Sequence, residues 1–252
     1  MAEERRHFEA GGAAYAAHRP SYPAALAEAL AARAPHRRLA VDAGCGTGQL
    51  SVLLGDCFEA VAAADVSAAQ IDAAVPHRHV RYHLAGAEAL PAPDGAAALV
   101  TAAQAAHWFE LDAFYAECRR VLCPGGLVAL VTYGVTIAPE PIRERFDRFY
   151  WHEIHAHWPP GREHVENGYA DLPFPFEPVS APALAIERQW GADALLGYVE
   201  TWSAVKRARA AGEGALVDGF AADLRAQWRG GTLPFAWPIS VRFGQVRQAS
   251  AR

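Results

Sequence analysis

Lysine is almost missing from this chain of 252 residues, which contains one, Lys206. With 23 basic and 28 acidic side chains, the formal net charge is −5. A protein that holds a nucleic-acid backbone needs a surplus of basic side chains to replace the cations around the phosphates. The charge balance therefore argues against DNA or RNA as a partner. The lack of lysine in the glycine-rich segments also argues against a phosphate-binding loop of the G-x-x-x-x-G-K-[ST] type.

Cysteine and long apolar runs are scarce as well. The four cysteines form no C-x-x-C pair, so we expect reduced thiols in a cytoplasmic protein. The longest weakly polar run, Gly95 to Ala106, is too short to span a bilayer, and the first dozen residues lack the apolar core of a secretion signal. Hydrophobic residues still make up 52 % of the chain. We expect a globular protein with a large core and no membrane partner.

Short apolar runs alternate with helical patterns between residues 39 and 134. Helices are predicted over Thr47–Leu54, after an N-cap at Ser67, and over Leu111–Leu122 up to Pro124-Gly125-Gly126. Buried strands are predicted at Leu39–Asp42, Ala60–Asp65, Val80–Ala85, Ala97–Thr101 and Leu127–Thr132. Continuous apolar strands separated by helices are typical of a parallel sheet covered on both faces.

The flanking segments have a different character. The first forty residues are predicted to be helical, with a helix start near Pro23. Residues 135–180 contain seven prolines and many aromatic residues, and so long a loop is usually functional. We interpret it as a cap over the ligand edge of the sheet. Helical spacing returns around Leu195–Val205, and Ile239–Val246 is predicted to be the final strand.

The segment DAGCGTGQL, residues 42–50, places three glycines at alternate positions after an apolar strand. Ligands of parallel sheets lie beyond the carboxyl ends of the strands, and glycine lets them approach the backbone. The segment does not match the dinucleotide fingerprint G-x-G-x-x-G, because Gln49 stands at the position of its third glycine. Asp65, about 20 residues further on, is placed to accept hydrogen bonds from ribose hydroxyls. The pattern indicates a nucleoside ligand without a pyrophosphate.

These motifs resemble those of class I S-adenosylmethionine-dependent methyltransferases. The resemblance is carried by the glycine segment, Asp65, GAEALP (86–91), QAAHWF (104–109) and RRVLCPGG (119–126). Outside this region, YAAHRPSYP (15–23), residues 157–176 and GYVETWSAVKR (197–207) are similar to the ubiquinone-type subgroup of small-molecule methyltransferases, which includes the trans-aconitate methyltransferases.

The resemblance implies a Rossmann-like α/β fold, with a seven-stranded, mostly parallel sheet and helices on both faces. It implies a single domain: an N-terminal helical lid (1–38), a cofactor-binding half (39–134), the cap (135–180), and C-terminal helices and last strands (181–252). The implied cofactor is S-adenosylmethionine, with S-adenosylhomocysteine as product. The implied partner is a small-molecule acceptor, and the chain is expected to be a monomer or a homodimer.

The resemblance also implies roles for individual residues at the cofactor. Asp65 would bind the ribose, Val66 and the Ala87 amide the adenine, and Glu88 would either bond there or cap its loop. Tyr15 and Arg19 would close over the cofactor, with Arg19 pairing the carboxylate of its methionine portion. The alternative is a surface helix with a solvated arginine. The remaining predicted cofactor residues are Asp42, Gly44, Cys45, Gly46, Thr47, Gly48, Gln104 and Ala105. A purely structural turn is the alternative for the glycine segment.

On the acceptor side, His107 follows the fourth strand and is a candidate general base, or else a residue that packs the pocket. The other candidates for acceptor binding are Trp108, Tyr150, Trp158, Arg162, Tyr169 and Trp202. The alternative is that the aromatic residues form the cap's own core. The run His152-Glu153-Ile154-His155-Ala156-His157 lacks the H-E-x-x-H spacing of a zinc protease, so no metal is expected.

The predicted reaction is an in-line methyl transfer to a small molecule, with a carboxylate or hydroxyl oxygen favoured. A non-catalytic S-adenosylmethionine-binding regulator and an N- or S-methyltransferase of the same fold remain alternatives. A nicotinamide-dependent dehydrogenase conflicts with the glycine spacing. Nucleic-acid methylation is disfavoured by charge, and by QAAHW at the position of the N/D-P-P-Y/F motif of base-amino methyltransferases.

Overall fold

The computed structural model describes residues 20–181 and 183–246. The helices are α1 (Ala24–Arg33), α2 (Gln49–Gly55), α3 (Ala68–Asp72), α4 (Leu111–Val121), α5 (Arg143–Arg148), α6 (Arg162–Glu166), α7 (Ala192–Glu200), α8 (Ser203–Ala210) and α9 (Gly214–Gln227). The strands are β1 (Ala40–Ala43), β2 (Val61–Asp65), β3 (Val80–Leu84), β4 (Ala97–Ala103), β5 (Leu122–Tyr133), β6 (Glu177–Pro178), β7 (Leu184–Trp190) and β8 (Leu233–Gln245). None of the described helices has the length and apolarity needed to cross a bilayer.

The strands form one mixed sheet in the order β3-β2-β1-β4-β5-β8-β6, with β7 also paired to β8. Strands β1 to β5 are parallel to one another, whereas β8 runs antiparallel to β5, β6 and β7. The predicted Rossmann-like, mostly parallel α/β sheet is therefore confirmed. Neighbouring β1 and β4 lie where the strand order reverses, the position at which such sheets bind ligands.

Alternate side chains of the central strands enter two separate cores, as the pleat of a strand requires. Ala40 and Leu99 face the core that contains α1 and α2. Val41 and Val100 face the core that contains α4. Both faces of the sheet are therefore covered, which explains why these strands are apolar along their whole length.

Several local signals act as predicted. Ser67 caps α3, because its hydroxyl accepts a hydrogen bond from the Gln70 amide. Helix α1 begins immediately after Pro23, and only residues 20–38 of the predicted N-terminal helical segment are described. Residues 20–23 lie outside any helix.

Other boundaries differ from the predictions. Pro124-Gly125-Gly126 was expected to end a helix, but α4 ends at Val121 and these residues lie within β5, beside a register shift against β4. The last strand begins at Leu233 rather than Ile239, and for β7, which lies in the segment predicted to hold the last strands, no residue range was predicted. In the first half of β8, buried residues alternate with half-buried or exposed ones, and in β7 only Ile186 is buried, so the burial pattern gives neither strand a continuous buried apolar run.

Candidate cofactor and acceptor site

A cavity of about 620 Å³ lies at the carboxyl ends of β1, β2 and β4. The predicted cofactor residues that line it are Asp42, Gly44, Cys45, Gly46, Thr47, Asp65, Val66, Ala87, Glu88, Gln104 and Ala105, and of the predicted acceptor residues Trp108 does so. Tyr15 and Arg19 lie outside the described residues. The structure thus brings together residues from four separate sequence motifs, because the carboxyl ends of parallel strands share one edge.

The three glycines of the segment differ in what surrounds them. A Cβ on Gly44 would lie 2.6 Å from the Cβ of Ala105, and one on Gly48 would collide with the Tyr82 hydroxyl. A Cβ on Gly46 would meet only the end of the Gln70 side chain, at 3.6 Å. Gly48 is absent from the cavity wall, so its lack of a side chain serves packing. Gly46 is the glycine around which open space remains.

Asp65 joins the glycine loop to the end of β2. Its Oδ2 accepts a hydrogen bond from the Gly46 amide at 2.8 Å, and its Oδ1 accepts one from the Ser67 amide at 2.9 Å. A carboxylate has about four lone-pair positions. Asp65 can therefore hold the loop in place and still accept hydrogen bonds from ligand hydroxyls.

Asp42 lies at the floor of the cavity and is 1 % exposed. Its Oδ2 accepts from the Ser51 hydroxyl at 2.6 Å and its Oδ1 from the Thr101 hydroxyl at 2.7 Å. Burial raises its pKa to about 6, and these two hydrogen bonds oppose the rise while the charge of Asp65 adds to it. The protein thus maintains an acidic group with a perturbed pKa beside the ligand space.

The described lining residues include four carboxylates, those of Asp42, Asp65, Glu88 and Glu110, and no lysine or arginine. The aromatic part of the wall includes Trp108, which is 43 % exposed. A cavity with this lining favours a ligand that is cationic and partly apolar.

Sequence reasoning missed several lining residues, among them Tyr22, Phe109 and Tyr133. Tyr22 and Tyr133 pack edge to face, with ring centroids 5.9 Å apart. Both stand beside segments that the sequence does signal: Tyr22 precedes α1, and Tyr133 ends β5. Their position at strand and helix ends was the available signal.

His107 lies beside the cavity but is not among the described residues that line it. Its Nδ1 is 2.7 Å from the Tyr169 hydroxyl. Burial, together with the nearby charges of Arg162 and His164, lowers the pKa of His107 to about 3. The imidazole is therefore neutral at every pH at which the protein is expected to work.

Tyr150, Trp158 and Arg162 form a cluster within the cap, and Trp202, which lies beyond the cap between α7 and α8, packs against it. Arg162 donates two hydrogen bonds to the Tyr150 hydroxyl, at 2.9 and 2.6 Å, and the same hydroxyl donates to Glu166 at 2.6 Å. The Arg162 guanidinium lies 4.2 Å from the centre of the Trp158 ring, which also contacts Trp202. Tyr150, Tyr169 and Trp202 are buried. None of the five residues Tyr150, Trp158, Arg162, Tyr169 and Trp202 lines the cavity.

The fold and the cavity define an α/β protein with a ligand site at the carboxyl ends of a parallel sheet. A model of the methyltransferase domain matches residues 41–130. A Dictyostelium discoideum protein named as a methyltransferase is 32 % identical over 193 residues, which are 73 % of this chain and 72 % of that protein. A malonyl-[acyl-carrier protein] O-methyltransferase of Enterobacter lignolyticus is 30 % identical over 218 residues, 84 % of this chain and 80 % of that one.

A solved structure from Anaeromyxobacter dehalogenans, described as a type II methyltransferase, is 44 % identical with a TM-score of 0.86, and the match covers 91 % of this chain and 99 % of that one. The chain belongs to the S-adenosylmethionine-dependent methyltransferases. The predicted enzyme class and cofactor are therefore confirmed.

Proposed function

We propose that this methyltransferase acts on an oxygen atom of a small-molecule acceptor, a carboxylate or a hydroxyl, by direct in-line displacement. The observation that carries the proposal is the 620 Å³ cavity with four carboxylates and no lysine or arginine among its described lining residues. S-adenosylmethionine carries two positive groups, a sulfonium and an ammonium, and one negative carboxylate. Its net charge is therefore positive, and the acidic lining attracts it. A relative that is a malonyl-[acyl-carrier protein] O-methyltransferase supports oxygen as the acceptor atom.

The proposed roles at the cofactor follow from the contacts in the wall. Asp65 accepts hydrogen bonds from the ribose hydroxyls while it holds the Gly46 amide. Val66 is 60 % exposed and, with Ala87, packs against the adenine. Arg19 pairs with the methionine carboxylate, since the described wall offers that group no cation.

The transfer needs little covalent chemistry from the protein. The methyl carbon bonded to the sulfonium is already electrophilic, so the chain has to align an acceptor oxygen behind it and exclude water. The new C–O bond forms as the C–S bond breaks, and the electron pair of that bond stays on sulfur. This mechanism requires no covalent enzyme intermediate.

We propose that the cap, residues 135–180, binds the acceptor, in the manner of the ubiquinone-type and trans-aconitate-like subgroup. Trp158 supports this role, because its indole N–H is buried without a hydrogen-bond partner among the described residues. A buried donor of this kind is costly unless something accepts from it. An acceptor oxygen beside Trp158 would satisfy the N–H and lie against Arg162.

The proposal is tested by calorimetry and by transfer of a radiolabelled methyl group. S-adenosylmethionine and S-adenosylhomocysteine should bind and NAD should not. Asp72→Asn, a control substitution at an exposed position, should bind S-adenosylmethionine and S-adenosylhomocysteine like the wild type. Asp65→Asn should bind both more weakly. Label should then pass from the donor to at least one member of a pool of small acids, phenols, alcohols and thiols. Transfer only to sulfur or nitrogen would overturn the oxygen proposal, and binding without any transfer would make the chain a non-catalytic binder.

A further inference from the structure

The loop between β3 and β4, residues 85–96, forms part of the cavity wall and contains neither helix nor strand. Three of its residues, Ala85, Ala87 and Glu88, line the cavity. The start of the loop is joined to β2, because the Ala85 amide donates to the carbonyl of Asp65 at 3.0 Å. The position of this part of the wall therefore depends on what holds the rest of the loop.

Helix α4 holds the middle of the loop through two charged side chains. The Leu90 amide donates to Oε2 of Glu117 at 2.8 Å. Arg120 donates from Nη2 to the carbonyl of Leu90 and from Nη1 to the carbonyl of Ala92, both at 2.9 Å. Both main-chain groups of Leu90 are thus bonded to side chains of one helix, 27 and 30 residues further along the chain.

Glu117 and Arg120 also fix each other. Arg120 donates from Nε to Oε1 of Glu117 and from Nη2 to Oε2, both at 2.7 Å, which is the strong two-point geometry of a guanidinium on a carboxylate. Its Nη1 also donates to Asp94 of the loop at 2.8 Å. With the bonds to Leu90 and Ala92, all five N–H groups of this guanidinium have an acceptor. Arg120 therefore has one fixed orientation.

We propose that Glu117 and Arg120 are positioning residues for the adenine of the donor, because they hold the β3–β4 loop where Ala87 borders the cavity. Resting on the proposed function, in which Ala87 packs against the adenine, the two side chains set the depth of that contact. Neither of them is among the described residues that line the cavity. Their effect on the donor must therefore pass through the loop.

The exposure of the network decides whether it serves stability or binding. The Arg120 side chain is 34 % exposed and that of Asp94 81 %, so water can replace the lost bonds, and exposed ion pairs contribute little to stability. A loop that is no longer held has more conformations, and a ligand must restrict them at a cost in affinity. Removal of Arg120 should therefore weaken donor binding and leave the urea-unfolding midpoint almost unchanged.

Calorimetry with two ligands tests where the affinity is lost. S-adenosylhomocysteine has both ends of the donor, whereas 5′-methylthioadenosine keeps the adenosine and lacks the amino-acid group. Arg120→Met keeps an apolar side chain and removes all five N–H groups, so it should weaken both ligands by the same factor, about tenfold. A larger loss for S-adenosylhomocysteine would mean that the amino-acid end is also disturbed, and would overturn the role at the adenine.

Two further substitutions test the geometry of the contacts. Arg120→Lys keeps the charge but replaces the planar fork by three donors on one nitrogen, so both ligands should bind nearly as weakly as in Arg120→Met. Glu117→Gln keeps an oxygen for the Leu90 amide and should weaken binding less than Glu117→Ala. Wild-type affinity in Arg120→Lys or in Glu117→Ala would overturn the positioning role of that residue.

Arg209→Met is the matched control. Arg209 also pairs with two carboxylates, through bonds of 3.1 and 2.6 Å to Glu200 and one of 3.0 Å to Asp218. It donates to no main-chain group of the described residues. Arg209→Met should bind both ligands like the wild type. Weakened binding in this variant would mean that the loss of any exposed ion-pair network has the same effect, and would overturn the proposal.

Amide hydrogen exchange reads the state of the loop without any ligand. Leu90 should exchange faster in Arg120→Met than in the wild type, whereas Val100 within β4 should keep its rate. In methyl-transfer assays the KM for the donor should rise about tenfold and kcat should change less than about twofold. Unchanged exchange and affinity would reject the positioning role alone. Methyl transfer only to nitrogen or sulfur would reject the proposed oxygen acceptor and leave the positioning role standing.

Discussion

Asp42→Asn is the substitution for which the structure predicts opposite effects on stability and on cofactor binding. The asparagine fits the same space and can keep both hydroxyl contacts. Its Oδ1 can accept from Ser51, and its Nδ2 can donate to the Thr101 oxygen, because the Thr101 proton can turn to the Val41 carbonyl at 3.3 Å. The change therefore removes the buried charge and little else.

The size of the stability effect follows from the pKa. Asp42 titrates at about 6 in the folded protein instead of its ordinary 3.8, a difference of about 3 kcal/mol. The pKa of Asp42 is higher in the folded protein than in the unfolded chain. Its contribution to the free energy of unfolding is therefore fully present below about pH 4 and is lost as the pH rises through about 6. Asp42→Asn should therefore gain about 3 kcal/mol at pH 8 and about half of that at pH 5.

Urea unfolding at pH 5 and pH 8, followed by tryptophan fluorescence, measures these gains. Asp72→Asn, which removes an exposed carboxylate, should change the unfolding free energy by less than about 0.5 kcal/mol at either pH. The same Asp42→Asn protein should bind S-adenosylmethionine about 20-fold more weakly, because a unit charge about 10 Å away at an effective dielectric of about 20 contributes about 1.7 kcal/mol. A gain that is equal at both pH values, or a loss of stability at pH 8, would refute the reasoning about burial.

Three further predictions concern the cavity and His107. Asp65→Asn leaves one of two backbone N–H groups without an acceptor, so donor binding measured by calorimetry should weaken at least about tenfold; unchanged affinity would remove Asp65 from the site. Gly48→Ala should lower the free energy of unfolding by about 1–3 kcal/mol, because Gly48 has φ of +86° and an added Cβ would collide with Tyr82. Gly95→Ala, where open space surrounds the added Cβ, should lower the free energy of unfolding by less. His107→Gln should keep the wild-type shape of the kcat–pH profile between pH 5 and 9, since His107 has a pKa of about 3; an inflection that this variant abolishes would contradict the low value.

The parallel half of the sheet and the cofactor edge follow from local signals in the sequence. Continuous apolar runs predict β1, β2 and β4 within a few residues, because strands covered on both faces have no polar side. The glycine loop and Asp65 could then be placed together, since parallel strands end at one edge. That rule accounts for the cavity's combination of Asp42, Gly46, Asp65, Ala87 and Gln104.

Local signals fail where an element or a pairing depends on distant parts of the chain. Strand β7 and the first half of β8 mix buried with more exposed positions, and they exist because they pair with each other. Gly48 shares the motif with Gly46, yet its surroundings are set by Tyr82 on β3.

The sequence by itself determined the class of enzyme and the parallel sheet, and it predicts the position of the donor, because each depends on residues that are neighbours in the chain or lie one strand apart. Tertiary structure alone decided the chemical state of the acids and bases. Asp42 meets Thr101 from 59 residues away, and His107 meets Tyr169 from 62 residues away. The burial and the pKa of each group depend on such contacts, and no local pattern of residues predicts these contacts.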